Sequence, residues 1–492
     1  MRAGSVSWKN SFSAAVLSAC TLLLASCTVG PKYQRPPVVT PPEYKETGQW
    51  KAAQPSDQIA KGKWWEIFQD PQLDTLEDQI SVSNQNLKAA QAQYAQARAL
   101  VRFNRAGFFP TVTANPNINR VHLSQHRPLS GTSAGSTYND LILPLDVSYE
   151  VDLWGRVRRT VEQSRENAQA SAADLENISL SLHAELAIDY FLMRSLDAEQ
   201  QLLNSTVVAF QKALELTENR YQGGVASQVD VAQAQTQLET ARALAIDDQL
   251  SRAQFEHAIA VLIGKPPASF SLSPNPLNAP PPVIPPGLPS QLLERRPDIA
   301  SFERQMAAAN AGIGIAKAAY YPTVSLGASG GFESAAFGLL LNGPSGFWSL
   351  GASAAQTVFD AGRRRAVTQQ SQAIYDQTVA NYRQTVLSAF QEVEDNLAAQ
   401  RILADEAQTQ QAAVTAAEQS LALSNNRYRG GVTTYLEVIT AQSAALSNER
   451  TAVQILGRRM TASVQLIKAL GGGWDAKDLP SMQAVGAVSA GH

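Results

Sequence analysis

The chain has 492 residues with 40 basic and 43 acidic side chains, a formal net charge of -3 and only two cysteines. So even a balance excludes nucleic-acid binding through a global field, and two cysteines exclude a disulfide-built scaffold. Length alone allows about three ordinary domains, but a long self-similarity described below argues for one elongated architecture made by duplication.

At the amino terminus Arg2 and Lys9 precede a mostly apolar stretch from Phe12 to Leu24, followed by Leu24-Ala25-Ser26-Cys27. This pattern predicts an export signal over residues 1–26 and resembles a bacterial lipobox, in which Cys27 becomes the lipidated first residue. Leu17-Ser18-Ala19-Cys20 also fits, but cutting there would leave Thr21 to Leu24 exposed on the mature protein. Thr28, rather than Asp, after the cysteine implies sorting to the outer membrane. Residues 27–63 are proline-rich and polar and predict a lipid-anchored extended strap, which Trp64-Trp65-Glu66-Ile67-Phe68 could dock against the body.

The first repeat, residues 64–272, opens with a helical run from about Leu73 to Ala106. Between Phe108 and Trp154 the period changes to two. Leu145, Val147, Tyr149, Val151 and Leu153 alternate with Asp146, Ser148, Glu150 and Asp152, a strand with one apolar and one acidic face. Phe108 to Asn119 is its weaker partner, broken by Pro116, and Ser124 to Asn139 is the loop between them. A proline-free helix follows from Arg156 to Gln222, ~100 Å long. Leu203, Phe210, Leu214 and Thr217 lie on its coiled-coil seam. Gly223-Gly224-Val225 turns the chain into an ascending helix that runs to Gly264.

Residues 273–290 form a proline-rich connector. The second repeat, residues 291–474, resumes with a helix from Gln291 to Tyr320 and a second hairpin that begins at Tyr321-Pro322-Thr323-Val324, matching Phe109-Pro110-Thr111-Val112. Asn219-Arg220-Tyr221-Gln222-Gly223-Gly224-Val225 returns as Asn426-Arg427-Tyr428-Arg429-Gly430-Gly431-Val432, and the offset of 207 holds without a gap from Gly155/Gly362 to Gly264/Gly471. The helix lengths suggest that the first ascending helix stacks on Gln291–Tyr320 and the second on Leu73–Ala106, with the connectors forming a belt at mid-height. Residues 475–492 are a C-terminal tail.

Four strands cannot close a barrel, and an open edge in lipid leaves backbone groups unpaired at several kcal/mol each. The hairpins should therefore join those of other copies; two, three or four copies would give 8, 12 or 16 strands, even numbers like those of outer-membrane barrels. Trp154-Gly155-Arg156 and Phe359 to Arg365 put an aromatic and then cations where a membrane interface would favour them. The fold class expected is mainly α, with duplicated coiled-coil hairpins forming an α-barrel and four strands per chain given to a β-barrel.

The duplicated tip, Leu292-Leu293-Glu294-Arg295-Arg296-Pro297-Asp298-Ile299 and Ala318-Ala319-Tyr320-Tyr321-Pro322 make the chain resemble the TolC-like outer-membrane efflux proteins, specifically the NodT-type lipoproteins, from Cys27 to Trp474. The resemblance implies a homotrimer with a 12-stranded barrel in the outer membrane of a Gram-negative bacterium and a helical tunnel across the periplasm. It implies a passive, gated exit duct of a tripartite efflux system, with tips that dock on a periplasmic adaptor serving an inner-membrane pump. Tyr428 and Asp230 match a tyrosine and an aspartate that tie the closed tip, and Glu437 matches the first of two constricting acidic positions. Thr440 stands where a second aspartate is usual, and Thr433 replaces an arginine found in some members. A ring of three Glu437 carboxylates would favour cations.

Other classes fit less well. His122, His126, His183, His257 and His492 fall in no zinc spacing, and no nucleophile elbow or phosphate loop is present. No catalysis, metal or cofactor is expected. A type I protein-secretion channel is the alternative of the same architecture. A periplasmic adaptor would have one hairpin between compact β domains, and a static coiled coil leaves the alternation of Leu145 to Leu153 unexplained.

Overall fold

The computed structural model describes residues 28–47, 62–126, 128, 135–285, 287 and 289–487. The export signal and Cys27 lie outside them. In chain order the main elements are α1 (Pro71–Ser83), α2 (Gln85–Arg105), β1 (Thr111–Ala114), β2 (Asn117–His122), β3 (Thr137–Val151), α3 (Arg156–Gln222) and α4 (Gln228–Leu262). Then come α5 (Pro297–Ala318), β4 (Thr323–Ser334), β5 (Gly346–Ala355), α6 (Arg363–Arg429) and α7 (Tyr435–Ala469). No described helix is long and apolar enough to cross a membrane.

The duplication extends to the backbone. α3 and α6 each have 67 residues, and α4 and α7 each have 35. Both long helices start after a left-handed glycine, Gly155 at φ 82° and Gly362 at φ 87°, and both tips turn on another, Gly224 at 75° and Gly431 at 73°. A side chain at these angles is strained, so glycine sets where each helix begins and reverses. The four seam positions named on α3, Leu203, Phe210, Leu214 and Thr217, are buried, and on α6 Leu403, Val414, Ala417 and Ser424 are buried at equivalent places of the repeated seam, while Tyr221 at the end of the first seam is exposed.

Two expectations about the short helices need correction. The run from Leu73 to Ala106 is two helices, because the Asn84 side chain accepts from Leu87 N at 2.9 Å and caps α2. The run from Gln291 to Tyr320 is likewise split into a turn, Leu292–Arg295, and α5, because Arg296 precedes Pro297 and takes extended angles.

These breaks decide the stacking, and it is the reverse of the one expected. Asn84 Nδ2 donates to Leu262 O at 2.7 Å, at the C-terminus of α4, and a Cβ on Gly264 would lie 2.5 Å from Ser83 O. Arg296 Nη1 donates to Ala469 O at 3.1 Å, at the end of α7, and a Cβ on Gly471 would lie 2.0 Å from Arg295 O. Thus α4 meets α2 and α7 meets α5, each joint placing a donor on the last carbonyls of the helix below. Side by side the order is α2/α4, α3, α5/α7, α6: α3 packs on both stacked columns, whereas α6 packs on α5 and α7.

The sheet follows the same order, β1 and β2 beside β3, then β4, then β5, all antiparallel. The weak first strand is two short ones, interrupted around Asn115-Pro116, so the four strands expected are observed as five. Register rows separate the faces. Val112, Val147, Ala328 and Leu350 form one row, and Ala114, Leu145, Gly330 and Trp348 the next. Between them runs Thr113, Asp146, Ser329 and Ser349, with Ser329 Oγ donating to Asp146 Oδ1 at 2.7 Å. One face is apolar and one polar, and the outer edges, β1/β2 and β5, have no strand beyond them among the described residues.

Residues 28–44 of the strap are extended and run from the sheet to mid-height, and its residues 48–61 lie outside the described ones. Val29 N donates to Trp154 O at 3.1 Å, Arg159 and Asn310 both donate to Pro31 O at 3.1 Å, and Lys45 N donates to Glu394 at 2.8 Å. Trp64 and Trp65 are buried in the main core, which sits at mid-height among α1, α3, α6 and α7. Trp65 stacks on His183 at 4.5 Å, and His183 Nδ1 lies 2.7 Å from Glu77 Oε2. Burial raises the Glu77 carboxyl well above its ordinary range and pushes His183 down to about 4, which favours the uncharged pair. The first connector is clamped here too: Arg194 donates to Ser273 O at 2.8 Å, Arg252 to Leu272 O at 2.6 Å, and Asp197 binds both guanidinium groups.

Candidate functional site at the helical tips

Each tip is a Schellman turn. In the first, Val225 N donates to Arg220 O at 2.8 Å and Gly224 N to Tyr221 O at 2.9 Å; in the second, Val432 N donates to Arg427 O and Gly431 N to Tyr428 O, both at 3.0 Å. Gly223 and Gly430 end the helices, and Val225 and Val432 stand exposed at the ends of the two hairpins. These are the six residues expected to meet an adaptor.

The two hairpins differ just above the turns. Asp230 forms a capping box: its carboxylate accepts from Ser227 N at 2.9 Å while its own N–H donates to Ser227 Oγ at 3.2 Å. Glu437, at the equivalent position, turns away from a cap and binds Arg427 at 2.8 Å and the Thr433 hydroxyl. Tyr221 is 46% exposed but Tyr428, its repeat, only 5%, because Tyr428 folds in against Tyr435 with ring centroids 5.2 Å apart. The structure therefore does not bring Tyr428 onto Asp230 within one chain; the Tyr428 hydroxyl is buried with no hydrogen-bond partner among the described residues.

Arg220 supplies the tie instead. Its guanidinium lies 4.6 Å above the Tyr428 ring and donates to Arg429 O at 3.4 Å, joining the first tip to the second. A small core of Phe210, Leu214, Leu238, Tyr435 and Val438 lies behind the contact. Higher up, Glu199 on α3 binds Arg450 on α7 at 2.5 Å. Asp248 on α4 is buried beside this pair with Oδ2 unpartnered among the described residues, and burial, with Glu199 adding to it, pushes its carboxyl up to about 6. Arg220, Tyr435 and Arg450 were missed from sequence; Arg220 sits inside the repeated Asn-Arg-Tyr, which was its available signal.

The sheet, the paired long hairpins and the tip tie together describe part of a tube wall. The model of the family described as outer membrane efflux protein matches residues 76–265 and 288–472. The chain belongs to the outer membrane efflux protein family. This efflux protein is 32% identical to the probable efflux pump outer membrane protein TtgC of Pseudomonas putida over 460 residues, covering 93% of its own length and 95% of that relative. It is 33% identical to the solvent efflux pump outer membrane protein SrpC of Pseudomonas putida, covering 92% and 97%. Its fold matches the outer-membrane channel OprN with a TM-score of 0.86 at 30% identity, covering 91% of this chain and 100% of that one. The protein is an outer-membrane efflux channel of a Gram-negative bacterium, and its mainly α architecture with a membrane β part is that of the TolC-like channels.

Proposed function

We propose that three copies assemble into a passive duct that carries small molecules from a periplasmic adaptor and inner-membrane pump to the exterior, without a catalytic step of its own. One observation carries the reading: the sheet has an apolar face and two open edges, β1/β2 and β5, which no strand of the same chain covers among the described residues. Pairing β5 of one copy with β1/β2 of the next removes both edges, and three copies close the barrel. Val225 and Val432, repeated around the trimer, would present apolar points to the adaptor. Asp230, Tyr428 and Glu437 surround the narrow end, where Arg220 must leave Tyr428 for the hairpins to part.

Acylation of Cys27 belongs to the same reading. Thr28 lies against Gly155, where a Cβ would be 2.8 Å from it, next to the stacked Trp154–Tyr321 pair at 4.7 Å. The place of Thr28 at this end of the sheet supports the reading, since outer-membrane lipid can hold an acyl chain there. Purified protein in detergent should have the mass of three chains and form cation-preferring channels in planar bilayers. A monomer that does not conduct would end the proposal. Cys27→Ala should abolish incorporation of labelled fatty acid.

A further inference from the structure

The duplication supplies a template for the contact between copies. Within one chain, the column α5/α7 packs on α3, the long helix of the other repeat. Shifting the lower helices by the repeat offset of 207 turns this contact, α7 on α3, into α4 on α6. Within one chain α6 and α4 stand at opposite ends of the helix row, so α4 can meet only another copy's α6. That copy is the one whose β5 edge meets β1/β2, since strands and columns share one order.

The substituted side chains change the character of the seam. Inside the chain, Glu199 binds Arg450 at 2.5 Å, and Ser195 faces Gly457 so closely that a Cβ there would lie 3.0 Å from Ser195 Cβ. At the shifted positions Arg450 becomes Ala243, Gly457 becomes Leu250, and Ser195 becomes Ile402. Val453, whose carbonyl accepts from Ser195 Oγ at 3.4 Å, becomes Ile246. In the isolated chain Ile246 is 67% exposed, Leu250 59% and Ile402 52%, although Ser195 is buried. Higher up, the ion pair Glu166–Arg304 at 3.2 Å becomes Ala373, at the offset of 207 that relates α3 to α6, and Ala92, at the offset of 212 that relates Phe109-Pro110 to Tyr321-Pro322.

From this geometry we infer that the seam between copies at mid-tunnel is an apolar clasp. Ile246 and Leu250 of one copy close on the partner subunit's Ile402, replacing the ion pair that holds the equivalent seam inside each chain. The inference rests on the trimeric reading above and specifies its contact. Burying three large aliphatic side chains per seam is favourable without any directional bond. Asp247, at the shifted position of Gln454, which bonds Glu199 inside the chain, comes opposite the partner's Glu406, and each Glu406 already has Arg458 of its own chain at 3.4 Å. The seam inside the chain is therefore held by charge and the seam between chains by apolar contact.

The test is a cysteine pair, Leu250→Cys with Ile402→Cys, in the full-length protein oxidised in outer-membrane vesicles. Bands of two and three linked chains should appear on non-reducing gels, and neither single variant should give the three-chain band. In parallel, Ala243→Arg should recreate an ion pair across the seam and raise the temperature at which the detergent-purified trimer dissociates, with Glu406→Gln cancelling the gain. If the unaltered protein has the mass of a trimer but neither the linked bands nor the cancelled gain is seen, the clasp is wrong and the trimer stands. If the unaltered protein is a monomer, both fall.

Discussion

Arg220 of the first hairpin lies 4.6 Å above the ring of Tyr428 in the second, so the two tips of one chain are joined by a cation resting on an aromatic face. With the ring buried and Arg220 partly exposed, such a contact is worth about 0.5–2 kcal/mol, the size expected of the proposed tie at a tip that a docking partner opens. Arg220→Ala should raise single-channel conductance in planar bilayers, and Arg220→Lys should raise it less. Equal conductance in all three proteins would show that this contact does not close the tip.

The glycines separate two costs that sequence alone would treat as one. At Gly224 and Gly431 an added Cβ meets nothing within 4 Å, so alanine there costs only left-handed strain of about 1–2 kcal/mol. At Gly471 the Cβ would be 2.0 Å from Arg295 O, inside the joint between α7 and α5. Gly471→Ala should therefore lower the thermal midpoint well beyond Gly224→Ala, by displacing the joint as well as straining the turn. Melting followed by circular dichroism ranks the two, and equal midpoints would deny the joint its tight packing.

Asp248 makes stability depend on pH. Its carboxyl is ordinary in the unfolded chain, near 3.8, and about 6 in the fold. Between these values the folded state holds the extra proton, so stability should fall as pH rises from about 4 to about 6 and then level off. Asp248→Asn should flatten that part of the profile and leave the protein more stable at pH 7. A chemical-denaturation series across this range checks both, and an unchanged slope in the variant would assign the effect elsewhere.

Much of the architecture is legible in the sequence. The 67-residue helices, the tip turns and the two-faced strands depend on local properties: glycine where φ is positive, proline where a helix must stop, and a hydrophobic period of 3.6 or 2. The breaks at Asn84 and Arg296 were less visible. Asn84 is a strong N-cap residue, but the apolar period runs on from Ile80 through Leu87 to Val101 without a change of phase that marks a break there, and Pro297 at a first helical position is as compatible with a start as with an interruption.

Pairings between distant parts behaved differently. The helix lengths allowed α4 to stack on either α5 or α2, because both choices match the span of α3; the donors at Asn84 and Arg296 select α2 for α4 and α5 for α7. Tyr428 and Tyr221 occupy identical places in the repeat, yet one is buried and the other exposed. By itself the sequence determined the duplication, the helix and strand periods and the family, since each is written in residues close together along the chain. Only the tertiary structure decided which column stands on which, what covers Tyr428 and which apolar side chains stay exposed, because those depend on neighbours that chain order does not specify.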